Sequence, residues 1–191
     1  PGKRLYAQRC PGGYAGLGGL LLYRPSLLRH HPRGLVRGGE LHLSGKDLIT
    51  AVVAGYEVYQ RIAMAVQPSL DERTRRGWGL TSWQIFGSLV PAVKLMGHDE
   101  LQINKALSMG TTCTPIPTNS MNTPIGCLPF EHGFRNKTAI TLARCAKLGV
   151  ENLEDGIDDF DAFGNLMTAD RHDPTWYTRQ LGERYMIMER C

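Results

Sequence analysis

The stretch Lys46-Asp47-Leu48-Ile49-Thr50-Ala51-Val52-Val53-Ala54-Gly55-Tyr56-Glu57-Val58 decides the fold of this chain. Its apolar residues recur at three- and four-residue spacing, which predicts a helix with one apolar face. Ser44 lies just before the run and Asp47 lies three residues later, so the two form a capping box that predicts the helix N-terminus. Gly55 lowers helix stability by about 1 kcal/mol relative to alanine. We therefore expect it to allow close approach of a second helix, and Pro68 to end the segment.

The same periodicity, together with capping and stop residues, predicts four further helices. They run from Thr81 or Ser82 to Gly97, from Leu101 to about Met109, from Phe130 to Leu148, and from about Pro174 to the end of the chain. Gly97 is suited to a left-handed C-cap, and Asp99 with Gln102 forms a second capping box. Strand patterns are weak, so the predicted fold class is all-α, a helical bundle.

Two connecting stretches stand out from these helices. Gly110 to Pro129 is rich in Thr, Pro and Asn, and an irregular stretch of that length inside a domain is often functional. The acidic turn Glu154-Asp155-Gly156-Ile157-Asp158-Asp159 lacks the calcium-loop spacing, so we interpret it as a solvated turn.

Charge is distributed unevenly along the 191 residues, whose net charge is +4. Residues 1–50 hold eight Lys/Arg and two acids, whereas the remainder holds fourteen Lys/Arg and sixteen acids. Residues 1–43 are predicted to be an atypical basic Gly/Arg-rich arm that is poorly ordered, and residues 44–191 to be the folded domain. The arm has few aromatic residues among its arginines, so we expect no nucleic-acid partner. A chain that begins at Pro1 is expected to be a fragment or a processed product.

Five cysteines are widely spaced and show no zinc-ligand pattern, so we expect free thiols in a reducing compartment and no metal site. No apolar run reaches the length of about 20 residues that a membrane helix needs, so no membrane partner is expected.

The segment Arg76-Gly77-Trp78-Gly79-Leu80-Thr81-Ser82 lies between the first two predicted helices. With the small-residue helices around it, it resembles the MmgE/PrpD family, which includes 2-methylcitrate dehydratase, cis-aconitate decarboxylase and iminodisuccinate epimerase. The resemblance extends from about Ser44 to Gly182 and covers only part of the family's helical domain, without the lid domain. It implies a cofactor-independent lyase, a dehydratase or decarboxylase, that acts on a small polycarboxylate such as 2-methylcitrate or cis-aconitate.

The chain departs from this family at two positions where chemistry is expected. The family motif resembles R-G-[WF]-H-x-x-[ST], and Gly79 stands where the histidine belongs. A T-K-P-like segment precedes the fourth helix in the family, and its lysine corresponds here to Leu128 or, in a second alignment, to Thr123. Glycine cannot transfer a proton as the family histidine would. Neither leucine nor threonine carries the positive charge of the family lysine. Without the lid as well, the 191-residue chain alone is expected to show no turnover.

Other residues remain candidates for the site that the resemblance implies. His132, near the start of the fourth helix, is interpreted either as a helix cap or as a catalytic acid or base. Predicted substrate-binding residues are Arg76, Trp78, Gly79, Thr81, Ser82, Thr123 and Leu128. Each has a structural alternative: an ion pair for Arg76, a core position for Trp78, and helix caps for Thr81 and Ser82. His98 is expected at the surface.

Two alternatives to the lyase stay open. An isomerase or epimerase of the same family would transfer protons differently, which would account for the replaced histidine and lysine. A catalytically silent fragment or pseudoenzyme would need neither group. The resemblance further implies a small polycarboxylate as substrate, a homodimer, and a cytoplasmic or mitochondrial location.

Overall fold

A computed structural model describes residues 43–66, 83–114, 128–157, 163–168 and 171–188. The described part contains α-helices and one 3₁₀ helix but no strand, which confirms the all-α prediction. The helices are α1 (Gly45–Val66), α2 (Gln84–Leu95), α3 (Glu100–Thr112), α4 (Leu128–Lys147), α5 (Phe163–Thr168), α6 (Thr175–Thr178) and the 3₁₀ helix Met186–Met188. The arm at residues 1–42, the segment after α1 and the predicted N-caps Thr81 and Ser82 lie outside the described residues.

Both predicted capping boxes are present. The Ser44 hydroxyl accepts a hydrogen bond from the Asp47 N–H at 3.2 Å, and the Ser44 N–H donates to the Asp47 carboxylate at 2.8 Å. At α3 the Asp99 carboxylate accepts from the Gln102 N–H at 2.8 Å, and the Gln102 side chain accepts from the Asp99 N–H at 3.2 Å. Gly97 lies just beyond α2 in the left-handed region, with φ of +64°, as its position predicted.

Helix α2 lies at the centre of the bundle and packs against α1, α3 and α4. Its side chains Ile85, Phe86, Leu89 and Val93 are almost fully buried. The facing surface of α4 is built from Ala139, Ala143 and Ala146, all buried. Because alanine side chains are short, the α4 backbone can approach α2 closely. Phe163 of α5 completes the core with an edge-to-face contact to Phe86, at 5.6 Å between ring centroids.

Gly55 allows α1 to cross α2 closely, as predicted from the sequence. A Cβ atom at Gly55 would lie 2.5 Å from Cγ and 2.8 Å from Cδ of Pro91. Four residues further along α1, Tyr59 faces Gly87 of α2. A Cβ atom at Gly87 would lie 3.6 Å from the Tyr59 side chain. Residue numbers thus rise along α1 while they fall along α2, so the two helices are antiparallel.

The prediction of a long last helix is wrong. Helix α6 has only four residues, and turns follow it as far as the 3₁₀ helix. Gln180 and Gly182 adopt positive φ values of 51° and 85°, which an α-helix cannot accommodate. The carbonyl groups of this segment accept hydrogen bonds from the buried Arg61 of α1 instead of from a continuing helix.

Smaller corrections concern helix ends and one histidine. Helix α3 continues to Thr112, and α4 begins at Leu128 rather than Phe130. His98, expected at the surface, is half-buried, and its Nε2 lies 2.8 Å from the carbonyl oxygen of Ala143. No helix in the described ranges is long and apolar enough to cross a membrane.

Candidate functional site

Most of the predicted site residues lie outside the described ranges. These are Arg76, Trp78, Gly79, Thr81, Ser82 and Thr123. Leu128 and His132 lie in the first two turns of α4, where the structure describes the helix but not their side chains. Their proposed roles therefore stay predictions, and the site has to be located from the elements that flank them.

Residues 67–82 and 115–127, which hold most of the predicted site residues, connect helices whose ends meet at one end of the bundle. Because α1 is antiparallel to α2, the end of α1 lies beside the start of α2. A Cβ on Gly110, near the end of α3, would lie 2.9 Å from the Phe86 ring, so α3 also ends there. Helix α4 runs parallel to α2, because Arg135 contacts Gln84 at one end and Lys147 contacts Gly97 at the other. The starts of α2 and α4 and the ends of α1 and α3 therefore converge.

A cluster of buried polar side chains occupies this end of the bundle. Arg135 Nη1 donates a hydrogen bond to the Gln84 side-chain oxygen at 3.2 Å. One turn further along α2, the Ser88 hydroxyl donates to the side-chain oxygen of Asn136. Tyr59 of α1 and Trp83, just before α2, complete the cluster, and all six residues are at most 8% exposed. We refer to Tyr59, Trp83, Gln84, Ser88, Arg135 and Asn136 as the polar cluster.

The electrostatics of the polar cluster favour an anion. Arg135 places a full positive charge beside the start of α2, and the N-termini of α2 and α4 each add about half a positive charge. Side chains of helices lean toward the N-terminus, so the guanidinium lies on the N-terminal side of its own Cα. Backbone N–H groups at helix N-termini bind carboxylates and phosphates for the same reasons. The two helix N-termini therefore give this end of the bundle a positive potential.

Tyr59 is a protonated phenol in this cluster rather than an acid or base at neutral pH. Burial raises the pKa of Tyr59 to about 12, and the neighbouring Trp83 and Arg135 lower it only in part. Because this pKa is far above neutral pH, the phenol stays protonated. It can orient a ligand, but it transfers protons poorly at pH 7.

Trp83 contributes a buried N–H group. Its side chain is 2% exposed and faces Tyr59 closely enough to lower the pKa of the phenol. The indole Nε1 nevertheless has no hydrogen-bond partner of normal geometry. The indole and the Tyr59 phenol therefore form a close polar pair inside the cluster.

Sequence reasoning missed Arg135 and Asn136, although a pattern indicated them. Both lie at helical spacing from Ala139, Ile140 and Ala143, on the inner stripe of α4. Two polar residues on a stripe that is otherwise apolar predict a buried polar contact. Their partners Gln84 and Ser88 lie about fifty residues earlier in the chain, and no local pattern indicated those.

A second set of buried polar contacts lies on the far side of α1. Arg61 Nε donates to the Glu57 carboxylate at 2.7 Å, and its Nη atoms donate to the carbonyls of Trp176, Arg179 and Arg184. The other Glu57 oxygen accepts from the Met186 N–H at 2.7 Å. These contacts hold residues 171–188 against α1. We refer to Glu57 and Arg61 as the clamp.

A cavity of about 210 Å³ lies beside the clamp, between α1, α3 and the C-terminal segment. Its walls are mainly the aliphatic side chains Val58, Ile62, Leu107, Ile157 and Leu181. No predicted site residue is among the lining residues that the structure describes. Three of its polar lining residues, Glu57, Arg61 and Ser108, are already hydrogen-bonded within the protein. This cavity is therefore a packing feature rather than the site that the motifs indicate.

Within the described ranges, no group of three or more His, Cys, Asp or Glu residues could hold a metal ion. Residues 35–174 match the family model described as the MmgE/PrpD N-terminal domain. The chain belongs to the MmgE/PrpD family. The match begins nine residues before Ser44 and ends at Pro174, so α1 to α5 lie inside the family domain and α6 lies beyond it. No curated protein and no solved structure matches the chain significantly.

Proposed function

We propose that this member of the MmgE/PrpD family forms the substrate-binding helical domain of a cofactor-independent lyase for a small polycarboxylate. The reaction class is elimination of water or carbon dioxide by side-chain acids and bases. 2-Methylcitrate, citrate and cis-aconitate represent the substrate class.

One observation carries this proposal: the two segments with the family motifs connect helices that converge at the polar cluster. An Arg side chain and two helix N-termini at that end suit a substrate with two or three carboxylates. Elimination also needs a base for the carbon-bound proton. Tyr59 is too weak an acid for proton transfer, so the base has to come from another residue, with His132 the first candidate.

The test uses 2-methylcitrate, citrate and cis-aconitate in D₂O, with NMR detection of deuterium incorporation and of products. We expect the 191-residue chain to release no product. Gly79→His restores the family histidine, and in a chain that also carries the lid domain we expect it to exchange substrate protons and to release dehydrated product. General acid–base help is typically worth about 10²- to 10⁴-fold in rate. His132→Ala, made in the Gly79→His background, tests whether His132 is a second residue that transfers protons.

The matched control is Gly45→His, which adds an exposed histidine at a position with no neighbouring atom within 4 Å. This variant should convert none of the three substrates 2-methylcitrate, citrate and cis-aconitate. If folded Gly79→His, tested in a chain that carries the lid domain, produces neither exchange nor product from any acid, the lyase proposal is wrong and the silent alternative holds. Exchange with inversion of a stereocentre, without loss of water, would instead favour the isomerase alternative.

A further inference from the structure

Residues 171–188, which we call the strap, run along α1 from Ala65 back to Glu57. The Asp173 N–H donates a hydrogen bond to the Ala65 carbonyl at 3.2 Å, and the Met186 N–H donates to the Glu57 carboxylate at 2.7 Å. No residue of the strap is buried, in contrast to the core of the bundle. Most of the strap also lies beyond residue 174, where the match to the family domain ends. The strap can therefore open locally, because polar contacts and half-buried side chains attach it rather than core residues.

His172 lies at the first contact of the strap with the bundle. Its ring packs on Gly164 of α5, where an added Cβ atom would overlap ring atoms that include Nδ1. Its Nε2 lies 2.9 Å from the Tyr177 hydroxyl oxygen, whereas Nδ1 is buried and has no hydrogen-bond partner among the described residues. A neutral ring fits this position when Nε2 carries the proton and Nδ1 carries none. A second proton would place an N–H donor and a positive charge at Nδ1 without an acceptor.

The charges around His172 compensate only in part for that cost. Arg171 and Asp173 flank it in the chain, and both are exposed. Burial lowers the pKa of His172, and the Asp173 carboxylate opposes this shift without cancelling it. Helix α5 presents Gly164 to the ring, and glycine has no side chain that could offset the charge. The docked strap therefore binds a proton more weakly than a released strap, in which the imidazole is solvated.

We propose that the strap is a pH-sensitive switch: protonation of His172 releases residues 171–188 from α1 while the helical bundle stays folded. Release uncovers aliphatic residues of α1 and α3 that line the cavity beneath the strap, namely Val58, Ile62 and Leu107. Acidification thereby exposes an apolar face of the domain that the strap covers at neutral pH. This switch does not rest on the lyase proposal, so either can fail without the other.

Hydrogen–deuterium exchange of the 191-residue chain tests the switch. A range from about pH 7.5 to about pH 5 reports on histidines, because carboxyl groups ordinarily titrate near about pH 4. Protection factors, which correct for the pH dependence of intrinsic exchange, are measured for the strap amides of Asp173 and Met186. Since release takes up one proton, their protection should fall by up to about tenfold per pH unit below about pH 6.5. At every pH it should stay below that of the core amides of Leu89 and Val93, because the core stays folded.

Two variants identify the titrating group. His172→Gln keeps an amide that can bond to the Tyr177 hydroxyl but does not titrate, so strap protection should become nearly independent of pH. His98→Gln is the matched control, because His98 lies 2.8 Å from the Ala143 carbonyl oxygen of α4 and outside the strap. It should leave the pH dependence of the strap unchanged. If the strap of His172→Gln is already released at neutral pH, NMR titration of the His172 Cε1 proton in the unmodified chain decides. A midpoint below about 6.5 supports the switch, and a midpoint at or above that value overturns it.

The exchange outcomes are equally decisive. Strap protection that is constant over this pH range, or that falls equally in His172→Gln, overturns the switch. Equal protection of strap and core amides also overturns it, because the strap would then open only when the whole domain unfolds. Strap protection that is lower than core protection, with a pH dependence that disappears in His172→Gln and persists in His98→Gln, supports it.

Discussion

Gly55→Ala should destabilise the protein, although alanine is the better helix former. The substitution adds one methyl group at the crossing of α1 and α2. Helix propensity alone would stabilise the protein by about 1 kcal/mol. The new Cβ, however, would lie 2.5 Å and 2.8 Å from two ring atoms of Pro91 and 3.0 Å from the Gly87 carbonyl oxygen. A pyrrolidine ring and a backbone carbonyl cannot rotate away, so α1 and α2 have to separate.

The magnitude follows from these opposing effects. Overpacking of a close-packed core typically costs about 1–3 kcal/mol, and separating α1 from α2 disturbs the largest interface of α2. We therefore expect a net loss of about 1–2 kcal/mol after the gain in propensity. Urea unfolding followed by far-UV circular dichroism measures this loss as a lower midpoint at unchanged slope.

Two matched variants test the cause. Gly87→Ala lies in the same interface, but its Cβ would meet Tyr59 at 3.6 Å, an ordinary contact. It should be neutral or stabilising. Pro91→Ala removes the ring atoms, so Gly55→Ala should cost less in that background, and the double-mutant cycle should show positive coupling. A Gly55→Ala protein that is as stable as the unmodified chain would refute the close-approach argument.

Three further changes follow from the described contacts. Arg61→Met leaves the Glu57 carboxylate buried without its cation, and should cost about 3–5 kcal/mol and speed amide exchange at residues 175–188. Asp99→Ala removes the α3 cap and should cost about 1 kcal/mol, measured by urea unfolding with the exposed Asp155→Ala as a comparison. Burial lowers the pKa of His172 below its usual 6.5, so the unfolded chain binds more protons below about pH 6.5. Stability should therefore fall as pH decreases through that range, and less so in His172→Gln; an equal fall in both proteins would contradict this reasoning.

Sequence reasoning succeeded where the determining contacts are local. A capping box depends on residues three apart, and Ser44 with Asp47 forms it as expected. Gly97 ends α2 because glycine alone adopts its φ without cost. The close approach of α1 and α2 at Gly55 could also be predicted, because a helix retains a destabilising residue chiefly where packing requires it.

The C-terminal segment shows why other parts could not be predicted. Its three carbonyl contacts come from Arg61, which lies 115 to 123 residues away in the chain. An arginine on a helix is normally exposed, so nothing near Arg61 in the sequence indicates that it is buried. The same holds for His98, whose partner is a backbone carbonyl of α4. Every residue has a backbone carbonyl, so no sequence pattern identifies this partner.

The polar cluster also bears on the loss of the family histidine and lysine. Binding a polycarboxylate and moving its protons are separable tasks, because the first needs fixed charge and donors and the second needs a group whose pKa lies near the working pH. Under the proposed function Arg135 serves the first task, while Tyr59, with a pKa of about 12, cannot serve the second. A chain that kept the first and lost the second at Gly79 would bind citrate without consuming it. Binding that persists while turnover appears only in Gly79→His would therefore separate the two tasks, whereas loss of both together would mean that the residue at position 79 is needed for binding as well.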